Sequence, residues 1–117
     1  YVVEKRPYLF REPMQIAIAA LAGGLAFAVI ENLIYLNVYI KDPSAGIIQW
    51  RWTVCVAMHM GCSLIAGMGM TRVWRDAWKR MARPQLSKAF PYLVAAVLIH
   101  GGYNAFAVWL DMTGFEF

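Results

Sequence analysis

The stretch 14–39, MQIAIAALAGGLAFAVIENLIYLNVY, carries one charged side chain, Glu31, in a run otherwise apolar enough to cross a bilayer. A spanning helix needs about 20 mainly apolar residues, because the hydrocarbon is about 30 Å thick and each helical residue rises about 1.5 Å. Backbone polar groups find no water there, so such a segment must bond to itself as a helix. Glu12-Pro13 opens it, since a proline at the first turn lacks an N–H that would have no partner anyway. The cluster Lys41-Asp42-Pro43-Ser44-Ala45-Gly46 closes it with turn-forming residues.

Two further runs of the same kind follow, at about 49–74 and 90–111. The expected fold is therefore all-α, a polytopic transmembrane helix bundle with three spans at about 14–39, 49–74 and 90–111. Composition agrees: 61% of the 117 residues are hydrophobic, only 15% are charged, and the mean hydropathy is +0.49. Soluble domains hold about 25% charged residues. Cys55 and Cys62 lie seven apart on one predicted helix, which is too far to bridge, so they offer no disulfide framework. Residues 1–117 are expected to form a single membrane domain. The opening Tyr1-Val2-Val3 has neither an initiating Met nor a signal-peptide pattern, so this domain is expected to be the C-terminal part of a longer protein.

Charge placement predicts direction. Lys5, Arg6 and Arg11 precede the first span, and Arg72, Arg75, Lys79, Arg80, Arg83 and Lys88 face Asp76 alone in the predicted loop 72–88. Lys5–Arg11 and the Arg72–Lys88 loop are thus expected on the cytoplasmic side. The turn at 41–46 and the acidic residues Asp111 and Glu116 then fall opposite. Trp74, Ala77, Trp78 and Met81 suggest a basic amphipathic piece lying along the interface. The net charge of +4 reports topology here, and no nucleic-acid partner is expected.

Ionisable groups at bilayer depth are costly, so they usually face a bundle interior and have work to do. Counted back from the nearest polar end, Glu31 lies about 15 Å deep, His59 about 12 Å and His100 about 16 Å. One layer of the membrane would then hold all three. Glu31 could be a general base or a carboxylate metal ligand, or merely a structural acid bonded to a neighbouring helix. Tyr35, one turn on, is placed to hydrogen-bond the same carboxyl. His100 and Asn104 share a face four residues apart, so the amide could donate to a developing oxyanion or fix the imidazole tautomer; the alternative is an interhelical clamp. Gly101 and Gly102 beside them suggest close approach of another backbone. His59 shares a face with the small residues Ser63 and Gly67. Arg51 would snorkel at the edge, or else hold a substrate carbonyl or a carboxylate. Ala19, Ala20, Gly23 and Gly24 read as packing, and the tryptophans as interface anchors. Two imidazoles on different spans also leave room for a haem.

These residues carry a resemblance. Phe27-Ala28-Val29-Ile30-Glu31-Asn32-Leu33-Ile34-Tyr35 resembles the F-A-x-x-E-N-x-x-Y motif of the PrsW family of intramembrane proteases, relatives of the CAAX prenyl-protease and bacteriocin-processing superfamily. Arg51, His59 and Gly67, each eight apart, resemble its R…H…G motif, and His100-Gly101-Gly102-Tyr103-Asn104 its H-x-x-x-N motif. The resemblance implies an endopeptidase that cuts membrane-associated proteins with water activated by Glu and His. Glu31, His59, His100 and Asn104 would line the site, with Asn32, Tyr35 and Arg51 supporting it. It leaves two schemes open, activation by a glutamate directly or by a divalent metal such as zinc, for which His59 and His100 are the candidate ligands. The family's leading E-E-x-x-K motif is expected upstream of Tyr1, and Glu4-Lys5 does not substitute for it. Expected partners are membrane lipids and a membrane-protein substrate or partner subunits. The alternative reading is a non-catalytic membrane subunit or scaffold, whose polar trio would be helix glue or would clamp a pigment or lipid.

Overall fold

Gln15 explains how the first span begins. In the computed structural model, which describes residues 1–113, its side-chain carbonyl accepts from the backbone N–H groups of Arg11 (2.7 Å) and Glu12 (3.3 Å), while Pro13 takes the first helical position. A short helix, α1 (Val2–Lys5), and a 3₁₀ turn at Pro7–Leu9 precede it. Helix α2 (Pro13–Ile34) then continues through a wider π turn, Tyr35–Tyr39. After the turn at 40–44, the Ser44 hydroxyl caps α3 (Ala45–Trp50) by accepting from Ile47 N–H at 3.1 Å. A second π turn, Arg51–Cys55, joins α3 without a break to α4 (Val56–Arg80). A 3₁₀ turn at Leu86–Ala89 leads into α5 (Phe90–Met112). No strand occurs among the described residues. Glu116, assigned to the outer end by charge, lies outside the described residues.

Three helices are long and apolar enough to cross a membrane: Pro13–Tyr39, Ala45–Arg80 and Leu86–Leu110. The first matches expectation. The second is longer at both ends, which corrects the reading of 72–88 as a loop. Arg72, Arg75, Lys79 and Arg80 lie on α4 itself, and only 81–85 connect it to the next helical turn. Nor does the Trp74 segment lie flat on the membrane. Trp74 is buried with Val3, Ile16, Val73 and Ala89, and its indole N–H donates to the Pro7 carbonyl at 3.0 Å. Packing against the folded-back N-terminal segment outweighs the interfacial pattern at Trp74 and Ala77, while Trp78 and Met81 stay exposed.

Helix α4 is central, with α2 packed along it and α5 on another side. Lipid is as apolar as leucine, so close packing of small residues must hold such helices together. A Cβ added to Gly67 would stand 2.6 Å from Ala20 Cβ, and one added to Gly24 would stand 2.9 Å from the His59 carbonyl oxygen. Gly69 is pressed equally closely by Tyr92 of α5. The stripe on α2 therefore works through Ala20, Gly24 and the fully buried Ala28, whereas Gly23 faces open space.

Candidate active site

Asn32 sits where α2 crosses the π turn of Arg51–Cys55, and it is completely buried. A π turn widens the backbone ladder and commonly marks functional positions. Here the Asn32 amide N–H reaches the Arg51 carbonyl at 2.9 Å. Thr53 bends the same turn by donating its hydroxyl to the Gln49 carbonyl at 2.7 Å. Together these contacts turn the Arg51 side chain inward, where its guanidinium lies 4.0 Å over the Tyr35 ring and 3.5 Å from Glu31 Oε2.

The same carboxylate oxygen lies 2.7 Å from His59 Nε2. His59 is 4% exposed, and Glu31 is its hydrogen-bond partner. Its ring is tilted against Phe27 (centres 5.1 Å apart) and against His100 of α5 (4.9 Å). His100 Nδ1 meets the Asn104 amide nitrogen at 3.3 Å. The order across the bundle is thus Tyr35, Arg51, Glu31, His59, His100, Asn104. A groove of about 420 Å³ opens at the two imidazoles, between Phe27 of α2 and Ala96, Val97 and Gly101 of α5. Glu31 stands behind His59 and is not among the residues lining the groove.

Glu31, Asn32, Tyr35, Arg51, His59, His100 and Asn104, the site candidates read from the sequence, all fall in this chain of contacts, and three details of the reading are corrected. Tyr35 offers its ring face to Arg51, and no hydrogen bond joins it to Glu31. Arg51 is 13% exposed and ion-paired, so it does not snorkel. Gly101 and Gly102 have open space beside them, so no helix of the described chain approaches there. Tyr103 was missed. Its hydroxyl accepts from the Trp50 indole N–H at 2.8 Å and lies 2.9 Å from Cys55 Sγ, tying α5 to the end of α3 and the π turn after it. A lone tyrosine within an apolar span carries no polar pattern of its own, and its partners lie 53 and 48 residues away in sequence.

The donor chemistry suits a divalent ion in kind. Two imidazoles on one tetrahedral ion put their ring centres about 5 Å apart, close to what His59 and His100 show. The hydrogen bonds of Glu31 to His59 and Asn104 to His100 are of the kind that orients histidine side chains at metal sites. Among the described residues, however, no three His, Cys, Asp or Glu side chains are gathered as a ligand set. Asn32 Oδ1 and Arg51 Nε are buried without a hydrogen-bond partner among those residues.

The sequence profile of one family, described as PrsW family intramembrane metalloprotease, matches residues 2–116. No curated protein and no solved structure matches the chain.

Proposed function

The chain belongs to the PrsW family of intramembrane metalloproteases, an integral membrane family, and from that premise we propose that this bundle hydrolyses a peptide bond of a membrane-embedded protein lying in the groove at His59 and His100. The 2.7 Å contact between Glu31 and His59 at the head of that groove carries the reading. By accepting the Nε2–H, Glu31 fixes the neutral imidazole in one tautomer and leaves the lone pair on Nδ1. His59 can then take a proton from water, and the carboxylate behind it stabilises the imidazolium that forms. Arg51 and Tyr35 hold Glu31 in place, which makes them positioning residues.

Opposite, the Asn104 amide donating to His100 Nδ1 places the ring proton on Nε2. That N–H would donate to the oxygen of the scissile carbonyl as charge develops there. Half a turn of the amide reverses the tautomer and frees the Nε2 lone pair. A divalent metal such as zinc, when bound, would be held by His59 and His100 and would supply polarisation of the carbonyl and acidification of water. The lining of Phe27, Ala66, Ala96 and Val97 suits an apolar substrate segment and limits bulk water.

Sidedness is part of the proposal. The Trp74–Pro7 contact brings Lys5, Arg6 and Arg11 to the same end of the bundle as the basic part of α4, and this end is assigned to the cytoplasm. A scaffold would use the same residues as helix glue. Glue alone needs no open groove, whereas His59 and His100 both line one here, and that favours the enzyme.

The test is cleavage of fluorescent transmembrane peptides by the detergent-purified full-length protein, beside His59→Ala and His100→Ala. Cleavage lost in both variants, at unchanged resistance to unfolding by dodecyl sulfate, supports the reading. No cleavage by any form, with the variants merely less stable, refutes it. Chelation followed by reloading with zinc, read by metal content and cleavage together, separates the two chemical schemes.

A further inference from the structure

We propose that the groove at the basic end of the bundle binds the headgroup and upper acyl chain of an anionic phospholipid. The inference rests on the helices spanning a membrane with this basic end at the cytoplasmic face, and does not rest on protease activity. The groove, of about 870 Å³, lies between the start of α2, the later turns of α4 and Tyr92 of α5. Its floor is apolar, built from Met14, Ala17 and Met68, and its rim carries Arg72, Arg75 and Lys79. Positions 72, 75 and 79 share one helical face over about 10 Å.

Charge decides what kind of group fits the rim. Asp76 on the same rim is already bonded to both Lys88 and Arg80. Arg72, Arg75 and Lys79 have no ion pair among the described residues, and Glu12 is the one other carboxylate in the lining. Three cations therefore face one uncompensated acid, which favours a phosphate-bearing group.

Shape and position choose the source. The helix Ala45–Arg80 has 36 residues and is about 54 Å long, well beyond the roughly 30 Å of hydrocarbon, so its basic end reaches the layer of lipid phosphates. Met14 and Met68 are 64% and 55% exposed, so the floor is open to whatever surrounds the helices, which in a membrane is lipid. An acyl chain can lie on that floor without leaving the membrane while its headgroup meets the rim. A free phosphate would use the rim alone. Basic pockets between spans at the cytoplasmic face recognise anionic headgroups in this way.

The experiment is native mass spectrometry of the delipidated full-length protein after incubation with equal amounts of phosphatidylglycerol and phosphatidylcholine. The wild type is expected to retain phosphatidylglycerol selectively. Each interfacial cation is worth about a fivefold change, so Arg72→Gln/Arg75→Gln/Lys79→Gln should weaken retention on the order of 100-fold. Arg6→Gln/Lys41→Gln/Arg83→Gln removes the same charge elsewhere and should leave retention intact. Met68→Trp fills the floor with every cation kept, and it should weaken retention even if the triple variant folds poorly. Equal retention of the two lipids, or equal loss in both triple variants, overturns the proposal. Saturation of the groove by an acidic peptide but not by phosphatidylglycerol also overturns it, in favour of a protein-docking surface.

Discussion

Gly23 and Gly24 are neighbours on α2, yet the structure predicts opposite outcomes when each becomes alanine. A methyl at Gly24 would stand 2.7 Å from Ser63 Oγ, 2.8 Å from Ser63 Cβ and 2.9 Å from the His59 carbonyl oxygen. Relaxed carbon contacts begin at about 3.5 Å, so α2 and α4 must part by roughly 0.7 Å or more at this point. The Ser63 hydroxyl can rotate aside, but its Cβ and the His59 backbone cannot. Overpacking of this kind costs about 1–3 kcal/mol. The displacement also reaches the site, because Glu31 lies two turns along α2 and must stay 2.7 Å from His59. A misplacement of about 1 Å lowers catalysis by about 10²-fold. Gly23→Ala meets nothing within 4 Å and removes a poor helix former, so stability should hold or rise by up to about 1 kcal/mol. Both variants would be unfolded by dodecyl sulfate titration and assayed for cleavage of a transmembrane peptide. Adding Ser63→Gly to Gly24→Ala should restore part of the stability, since the His59 carbonyl remains in the way. Equal stability and equal activity of the two alanine variants would refute the close α2–α4 contact and the dependence of the site on it.

Two other perturbations follow from the polar chain and the helix end. Glu31→Gln strands the Arg51 guanidinium, so it should destabilise by about 2–3 kcal/mol, below the full cost of breaking a buried pair because the Glu31 side chain is 25% exposed. Adding Arg51→Met should return most of that stability while cleavage stays low. A double variant no more stable than the single one, in the same titration, would sink the ion-pair account. Met81 ends α4 in the left-handed region at φ 50°, and its side chain is 84% exposed, so Met81→Gly should stabilise by about 1 kcal/mol. An unchanged or lowered unfolding midpoint would count against it.

The sequence showed the spans and the polar cluster between them together, for one reason. In lipid a polar side chain is expensive, so Glu31, Asn32, Arg51, His59 and His100 stood out from their surroundings and their depths could be compared. What it hid was governed by backbone geometry or by competition between two plausible environments. The π turn at Arg51–Cys55 has no sequence mark beyond Thr53, yet it turns Arg51 inward and presents its carbonyl to Asn32. Six basic residues made 72–88 look like a loop, although four of them, Arg72, Arg75, Lys79 and Arg80, lie on α4, where Val73, Trp74 and Ala77 bury the opposite face. Gly23 and Gly24 were equivalent by composition, and only the packing separates them.

Helix α5 shows how the groove keeps its width. Its apolar stretch is the least buried of the three spans, so only one side of it packs, against α4. It is fastened at two places. Near its start Gly69 admits Tyr92, and Lys88 reaches Asp76 just before it. Just past its middle the Tyr103 hydroxyl meets Trp50 and Cys55. Between these fastenings lie Ala96, Val97 and His100, the α5 wall of the groove. Tyr103 is three residues, nearly one turn, beyond His100, so the hydroxyl that joins α5 to the end of α3 also sets the rotation that turns His100 toward His59. The separation of the two imidazoles is therefore controlled from outside the groove. Polar contacts maintain it without filling the groove.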